Sequence, residues 1–211
     1  MKFFAPARLA LFVPSLCLTP ICFAEPLELD PSVITGSRSA SPSFDLPYSV
    51  DSINQAQISD GQLGINASEV LSRVPGLVVQ NRQNYAQDLQ ISSRGFGARS
   101  AFGVRGIKLI ADGIPASTPD GQGQAATFNL DTAERIEVLR GPAATLYGSN
   151  AGGVIQMFSR DGEGPPRIGA ETLIGSDGMS KNHLTAEGAA DDVGFVLDAS
   201  RMDTDGYRDH S

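Results

Sequence analysis

The residues able to do chemistry are few, and their settings argue against most of the chemistry they could do. Cys17 and Cys22 both lie within residues 1–24, a stretch that reads as a cleaved leader, so the mature chain has no thiol for a disulfide, a cluster or a nucleophile. His183 and His210 are far apart, and neither has ligand spacing such as H-E-x-x-H; both read as surface residues and no metal site is expected. Gly121-Gln122-Gly123-Gln124-Ala125-Ala126 has the glycines of a dinucleotide loop. It follows Ser117-Thr118-Pro119-Asp120 instead of a strand and opens no convincing helix, so it reads as a Gly/Gln loop in which Gln122 and Gln124 could hydrogen-bond a ligand. No Ser/His/Asp or paired-carboxylate constellation has a persuasive setting, so neither catalysis nor a cofactor is expected.

Arginine is the more informative residue. Arg94-Gly95, Arg105-Gly106 and Arg140-Gly141 each fall at or near the end of an expected strand, where glycine permits a turn and the guanidinium presents a fork of donors. On an isolated domain these would be solvated charges; inside a barrel they would meet carboxylates of the wall.

The elements that must position these groups follow from composition and punctuation. Lys2 and Arg8 precede an apolar run broken by Pro14 and Pro20 and ending at Ala24. That is the pattern of a secretory signal peptide cleaved after Ala24, and the run is well short of the roughly 20 residues of a membrane-spanning helix. A net charge of −8, more negative still without the leader, makes nucleic acid a poor partner. The segment 25–47 is rich in Ser, Pro, Asp and Gly and reads as a tether. Within it, Val33-Ile34-Thr35 is a short strand-favouring interruption.

Regular structure is expected from Tyr48-Ser49-Val50, a short strand, and then a helical turn or two over 52–58 capped by Asp51 or Ser52. A second helix, capped by Asn66 or Ser68, carries Val70, Leu71 and Val74 on its apolar face and stops at Pro75-Gly76. Strands are expected at Leu77–Val79, Leu89–Ser93, Ile107–Ala111, Arg135–Leu139 and Val154–Phe158, separated by glycine-rich loops. Together they make a compact α+β domain of small mixed sheet and short helices. Beyond Gly162 the texture changes to three stretches of about ten residues, 167–174, 182–188 and 193–202, set apart by Asp/Gly turns. That spacing suits the first strands of an incomplete transmembrane β-barrel, although a soluble hairpin would look similar.

Four stretches carry a family resemblance: Pro75-Gly76-Leu77-Val78-Val79, Ser93-Arg94-Gly95-Phe96-Gly97, Ala111-Asp112-Gly113-Ile114-Pro115 and the long run from Arg135-Ile136-Glu137-Val138-Leu139-Arg140-Gly141-Pro142 to Gly152-Gly153-Val154-Ile155. They resemble the plug-domain signature of TonB-dependent outer-membrane receptors. The resemblance implies four regions: a signal peptide over 1–24, a TonB box and tether over 25–47, a plug over 48–165 and barrel strands over 166–211. It marks Asp30, Pro31, Ser32, Val33, Ile34, Thr35 and Gly36 as the TonB box, with Pro31 departing from the threonine usual there. It also implies energised import across the outer membrane of a Gram-negative bacterium, with TonB and its inner-membrane energising complex, outer-membrane lipid and a small-molecule ligand as partners. Arg94, Arg105, Glu137 and Arg140 become expected plug–barrel contacts.

The stretches from Gln80 to Gln90 and from Pro119 to Gln124 resemble more closely the receptor subfamily implicated in uptake of pyrroloquinoline quinone. On that analogy the ligand residues are Arg82, Gln83, Asn84, Tyr85, Asp120, Gln122 and Gln124. Ferric-siderophore uptake stays open as an alternative, and so does a soluble periplasmic binding or adhesion module.

Overall fold

The computed structural model describes residues 46–81, 87–148 and 150–206, and the backbone of 33–34 and 41–42. The expected leader, Arg82 to Tyr85, and His210 lie outside the described residues. In chain order the elements are β1 (Val33–Ile34), β2 (Ser41–Pro42), β3 (Val50–Asn54), α1 (Gln55–Ser59), α2 (Ser68–Leu71), β4 (Leu77–Gln80), β5 (Gln90–Ser93), β6 (Ile107–Ala111), β7 (Ile114–Pro115), β8 (Ala133–Leu139), β9 (Gly153–Ser159), β10 (Arg167–Ile174), β11 (Ser180–Ala190) and β12 (Val193–Asp203).

Strand alternation explains the central body. In the five-stranded sheet, ordered β3-β8-β9-β6-β7, Ile136 pairs with Met157 and Val138 with Ile155, while Leu109 lies beside Ile155 in a parallel ladder. Because residues two apart share a face, these side chains form one apolar surface. It is buried against Ile58, Val70, Leu71 and Phe128 and against Leu77 and Ile91 of the β4-β5 pair. The opposite face has a small cluster of Ile110, Leu139, Ala144 and Val154, with Tyr48 and Val50 packed against it, and beyond it Glu137 opposite Gln156 and Arg135 opposite Phe158. The result is an α+β body with a mixed sheet and short helices.

Both helices differ from their sequence expectation in extent. The sheet ladder carries β3 through Ser52 and Ile53, which pair with Glu137 and Ile136, so the first helix starts at Gln55. Asn54 caps it: its side chain accepts from the Gln57 N–H while the Gln57 side chain accepts from the Asn54 N–H, a capping box. The second helix is only four residues long. Its start is shaped by Glu69, whose carboxylate accepts the N–H groups of Leu63, Gly64, Ile65 and Asn66 at 2.8–3.0 Å. The expected apolar face is present, with Val70, Leu71 and Val74 all buried.

Strands β10, β11 and β12 form a separate antiparallel sheet. The β11–β12 connection is Asp191-Asp192, with Asp191 at φ 53°, a left-handed conformation that aspartate tolerates better than most residues. Alternation gives the two faces of this sheet different character, apart from a polar end at Asn182, Arg201 and Asp203 on the more apolar face. Arg167, Glu171, Lys181, His183, Glu187 and Asp198 share one face by register, and Ile168, Ile174, Leu184 and Leu197 share the other. The charged face meets the α+β body through the Lys181–Asp131 ion pair and the Asn129–Asp198 hydrogen bond. The apolar face stands open, with Ile168 and Ile174 85% and 83% exposed.

Candidate functional site

The loop from Ser117 to Gln124 is a built structure. Val104 and Gly123 exchange backbone hydrogen bonds at 2.7 and 2.8 Å, and a Cβ on Gly123 would stand 2.9 Å from the Leu109 side chain. The second glycine of the dinucleotide-like pattern thus permits close packing on Leu109. Arg105 reaches across to Asp120 Oδ2 at 3.1 Å and to Gln122 Oε1 at 3.3 Å. The Thr118 hydroxyl donates to Asp120, as does the Gln122 N–H. Together with Arg105 these donors hold the Asp120 carboxyl below its ordinary range, because hydrogen bonds and a cation favour the charged form. The structure therefore brings Arg105, Asp120 and Gln122 into one exposed knot. Gln124 is exposed beside it, tied through its backbone to Ala116 and Thr127.

The other expected contact residues fall in different places. Arg94 is exposed at a turn with φ 49°. Glu137 is buried, 3% exposed, and takes the Arg135 guanidinium at 2.9 Å; Arg135 also lies over the Phe158 ring, 3.9 Å from its centre, in a cation–π arrangement. Arg140 is 8% exposed and gathers three segments of the body. Its Nη1 donates to Pro75 O, and its Nη2 donates to Asp51 and, at 3.1 Å, to Ser49 Oγ. Of the expected box residues, Val33 and Ile34 form β1, in register with Pro42 and Ser41; Asp30, Pro31, Ser32, Thr35 and Gly36 lie outside the described residues.

A set of polar contacts that spacing did not suggest lies at the seam between the body and the three-stranded sheet. Lys181 of β11 is buried, 4% exposed, and its ammonium donates to Asp131 at 2.7 Å, Leu63 O at 2.8 Å and Gly64 O at 3.3 Å. Asn129 donates to Asp198 at 3.2 Å, and Arg160 pairs with Glu187 at 3.1 Å. His183, expected at the surface, is instead a seam residue paired with Asp198 and only 12% exposed in its side chain. Asp131, His183 and Asp198 offer ligand atoms within 4.8 Å of one another, but the Lys181 ammonium already supplies a positive charge there. Sequence reasoning missed Lys181 because its partners lie 50 to 118 residues away. The available clue was slight: Lys181 stands just before the stretch expected to form a strand, 182–188.

These features can be set beside known proteins. The vitamin B12 transporter of Vibrio vulnificus (strain CMCP6) is 26% identical over 204 residues, covering 94% of this chain and 32% of that protein. The hemin receptor of Yersinia pestis is 30% identical over 189 residues, covering 85% and 26%. The solved ferric yersiniabactin uptake receptor of Yersinia pestis shares the fold, with a TM-score of 0.58 and 24% identity over 74% of this chain and 24% of its own. The chain thus spans about a quarter to a third of the length of these relatives. The family model described as the TonB-dependent receptor plug domain matches residues 42–155, more than half of the chain and the five-stranded sheet as far as Ile155 within β9. On that match, the chain belongs to the TonB-dependent receptor plug family.

Proposed function

We propose that this chain is the plug and the first stretch of wall of an outer-membrane importer that takes up a scarce solute with energy delivered through TonB. One observation beyond the family match carries the reading. The sheet β10-β11-β12 turns an apolar face outward and a charged face onto the plug, as a barrel wall must between lipid and a polar lumen. The division proposed is signal peptide 1–24, box and tether 25–47, plug 48–165 and wall from 166. The box, Asp30 to Gly36, adds as a strand to an exposed sheet edge of TonB. Arg94 and Arg105, both exposed, are the proposed contacts between plug and completed wall; Glu137 and Arg140, expected there from the resemblance, are engaged within the plug and would support that surface from beneath. Binding and movement, with no covalent step, do the work.

Two ligand classes compete for the outer face. Pyrroloquinoline quinone is supported by the loop resemblance, with Arg82, Gln83, Asn84, Tyr85, Asp120, Gln122 and Gln124 as the proposed contacts. Amide and guanidinium donors suit its three carboxylates, and an aromatic ring suits its plane. An iron complex is supported by the relatives, which include a hemin receptor and a ferric yersiniabactin uptake receptor; a polyanion of either class would have to take Arg105 from its partner Asp120. Calorimetry on the full-length receptor, with the quinone and a panel of ferric siderophores, decides between them. Heat with the quinone alone favours the first class; heat with a siderophore alone removes it.

The import reading is tested by Ile34→Pro in the full-length receptor. Proline removes an N–H from the pairing segment, so uptake is expected to stop while surface binding of the ligand is kept. Normal uptake by that variant would mean that the box lies elsewhere.

A further inference from the structure

Resting on the import reading, we propose that the turn from Leu63 to Asn66 is the movable side of a gate between plug and wall, and that Lys181 is the latch that holds it shut. Three observations converge on this turn. Glu69 gathers its four N–H groups, making it one rigid piece. Lys181 takes the carbonyls of Leu63 and Gly64 and the carboxylate of Asp131, gripping that piece from the wall. A cavity of about 300 Å³ lies at the same seam, lined by Ile58, Gln62 and Leu130 from the plug and by Glu171, Lys181 and Thr185 from the wall. The turn is therefore polarised: its donors face its own helix, and its first two carbonyls, of Leu63 and Gly64, face the wall.

The physical consequence is a bistable contact. A buried ammonium satisfied by three acceptors is stable only while all three are in place, since an uncompensated buried charge is strongly unfavourable. Once the turn moves, Lys181 loses two carbonyls together, and water entering the polar cavity takes their place. The Glu69 carboxylate keeps the turn intact during this movement, so the plug can yield at one point without unfolding. The other described seam contacts, Asn129 with Asp198 and Arg160 with Glu187, involve long or exposed side chains able to follow a small shift. Lys181 is a positioning residue in this scheme and does not touch the ligand.

The test uses the full-length receptor in outer membranes, with Thr185→Cys as a reporter on the cavity wall. The chain's own cysteines are Cys17 and Cys22, both in the expected leader, and mass spectrometry of the peptide holding position 185 reads the modification. In cells lacking TonB, Lys181→Met or Asp131→Asn is expected to raise the rate of labelling by a membrane-impermeant maleimide by about tenfold or more, the effect of uncoupling a buried pair. Lys181→Arg, which keeps charge and donors, is expected to stay within about threefold of the parent. Asp131→Asn leaves the carbonyl contacts in place and so reports even if Lys181→Met assembles poorly. Labelling at the parent rate in both Lys181→Met and Asp131→Asn would overturn the latch. Failure of the unmutated receptor to take up the quinone or any of the ferric siderophores of the panel in energised cells would overturn the import reading alone, because the labelling contrast is measured without energy.

Discussion

Arg140→Met should loosen the plug locally, by an amount that can be worked out from its contacts. One end of the guanidinium donates to Pro75 O and the other to Asp51 and Ser49, so three segments are joined by a single planar group. Methionine preserves much of the volume and none of the donors. Pro75 O is then left without its donor, and Asp51, 30% exposed in its side chain, without its cation. Breaking a buried pair costs about 3–5 kcal/mol. The partial hydration of Asp51 places this one at the lower end, about 3 kcal/mol, or roughly a hundredfold in the local opening equilibrium.

Hydrogen exchange on the purified full-length receptor reads that opening at the amides of Leu77 and Arg94, which donate to Val74 O and Gly76 O at 3.2 Å beside the site. Both should exchange faster by roughly that factor, and Arg140→Lys should fall between, since a point charge cannot reach both ends of the fork. Exchange within about twofold of the parent in Arg140→Met would refute the assignment of Arg140 as the junction of these segments.

The remaining predictions concern the exposed knot and the latch turn. Asp120 has its carboxyl held below the ordinary value of 3.8 by Thr118, the Gln122 N–H and Arg105. Its contribution to loop order is therefore complete above that value and is lost as pH falls through the lowered one. Proteolysis of the Ser117–Gln124 loop should accelerate only at pH below 3.8, and Asp120→Asn should remove the dependence; a midpoint at or above the ordinary value would contradict this. Glu69→Ala leaves four N–H groups of Leu63 to Asn66 without their acceptor, at a cost of about 3 kcal/mol given partial access to water. Exchange at those four amides should rise by roughly a hundredfold, whereas Glu69→Gln, keeping one carbonyl oxygen, should lose mainly the pair of bonds made by the other.

Much of the plug body was legible in residue order alone. Ile107 to Ala111 and Arg135 to Leu139 could be read as strands because alternation and flanking glycines are local signals. The long run from Arg135 to Ile155 is specific enough by itself to indicate the family. The three later strands were also legible in number and approximate span, since strand length and Asp/Gly turns repeat along the chain. Helix extents were less so: Ser52 and Ile53 could have joined either element, and pairing with Glu137 and Ile136, more than 80 residues away, drew them into the sheet.

Only the tertiary structure decided which polar residues meet. Local pattern shows that Arg140 ends a strand and that Lys181 stands beside one, but not that the first turns onto Pro75 and Asp51 or that the second seizes the Leu63 and Gly64 carbonyls. The reason is one of range. Backbone propensity and alternation act over a few residues, whereas a buried charge takes whatever acceptors the folded chain brings within about 3 Å of it, and those are chosen by the packing of distant segments.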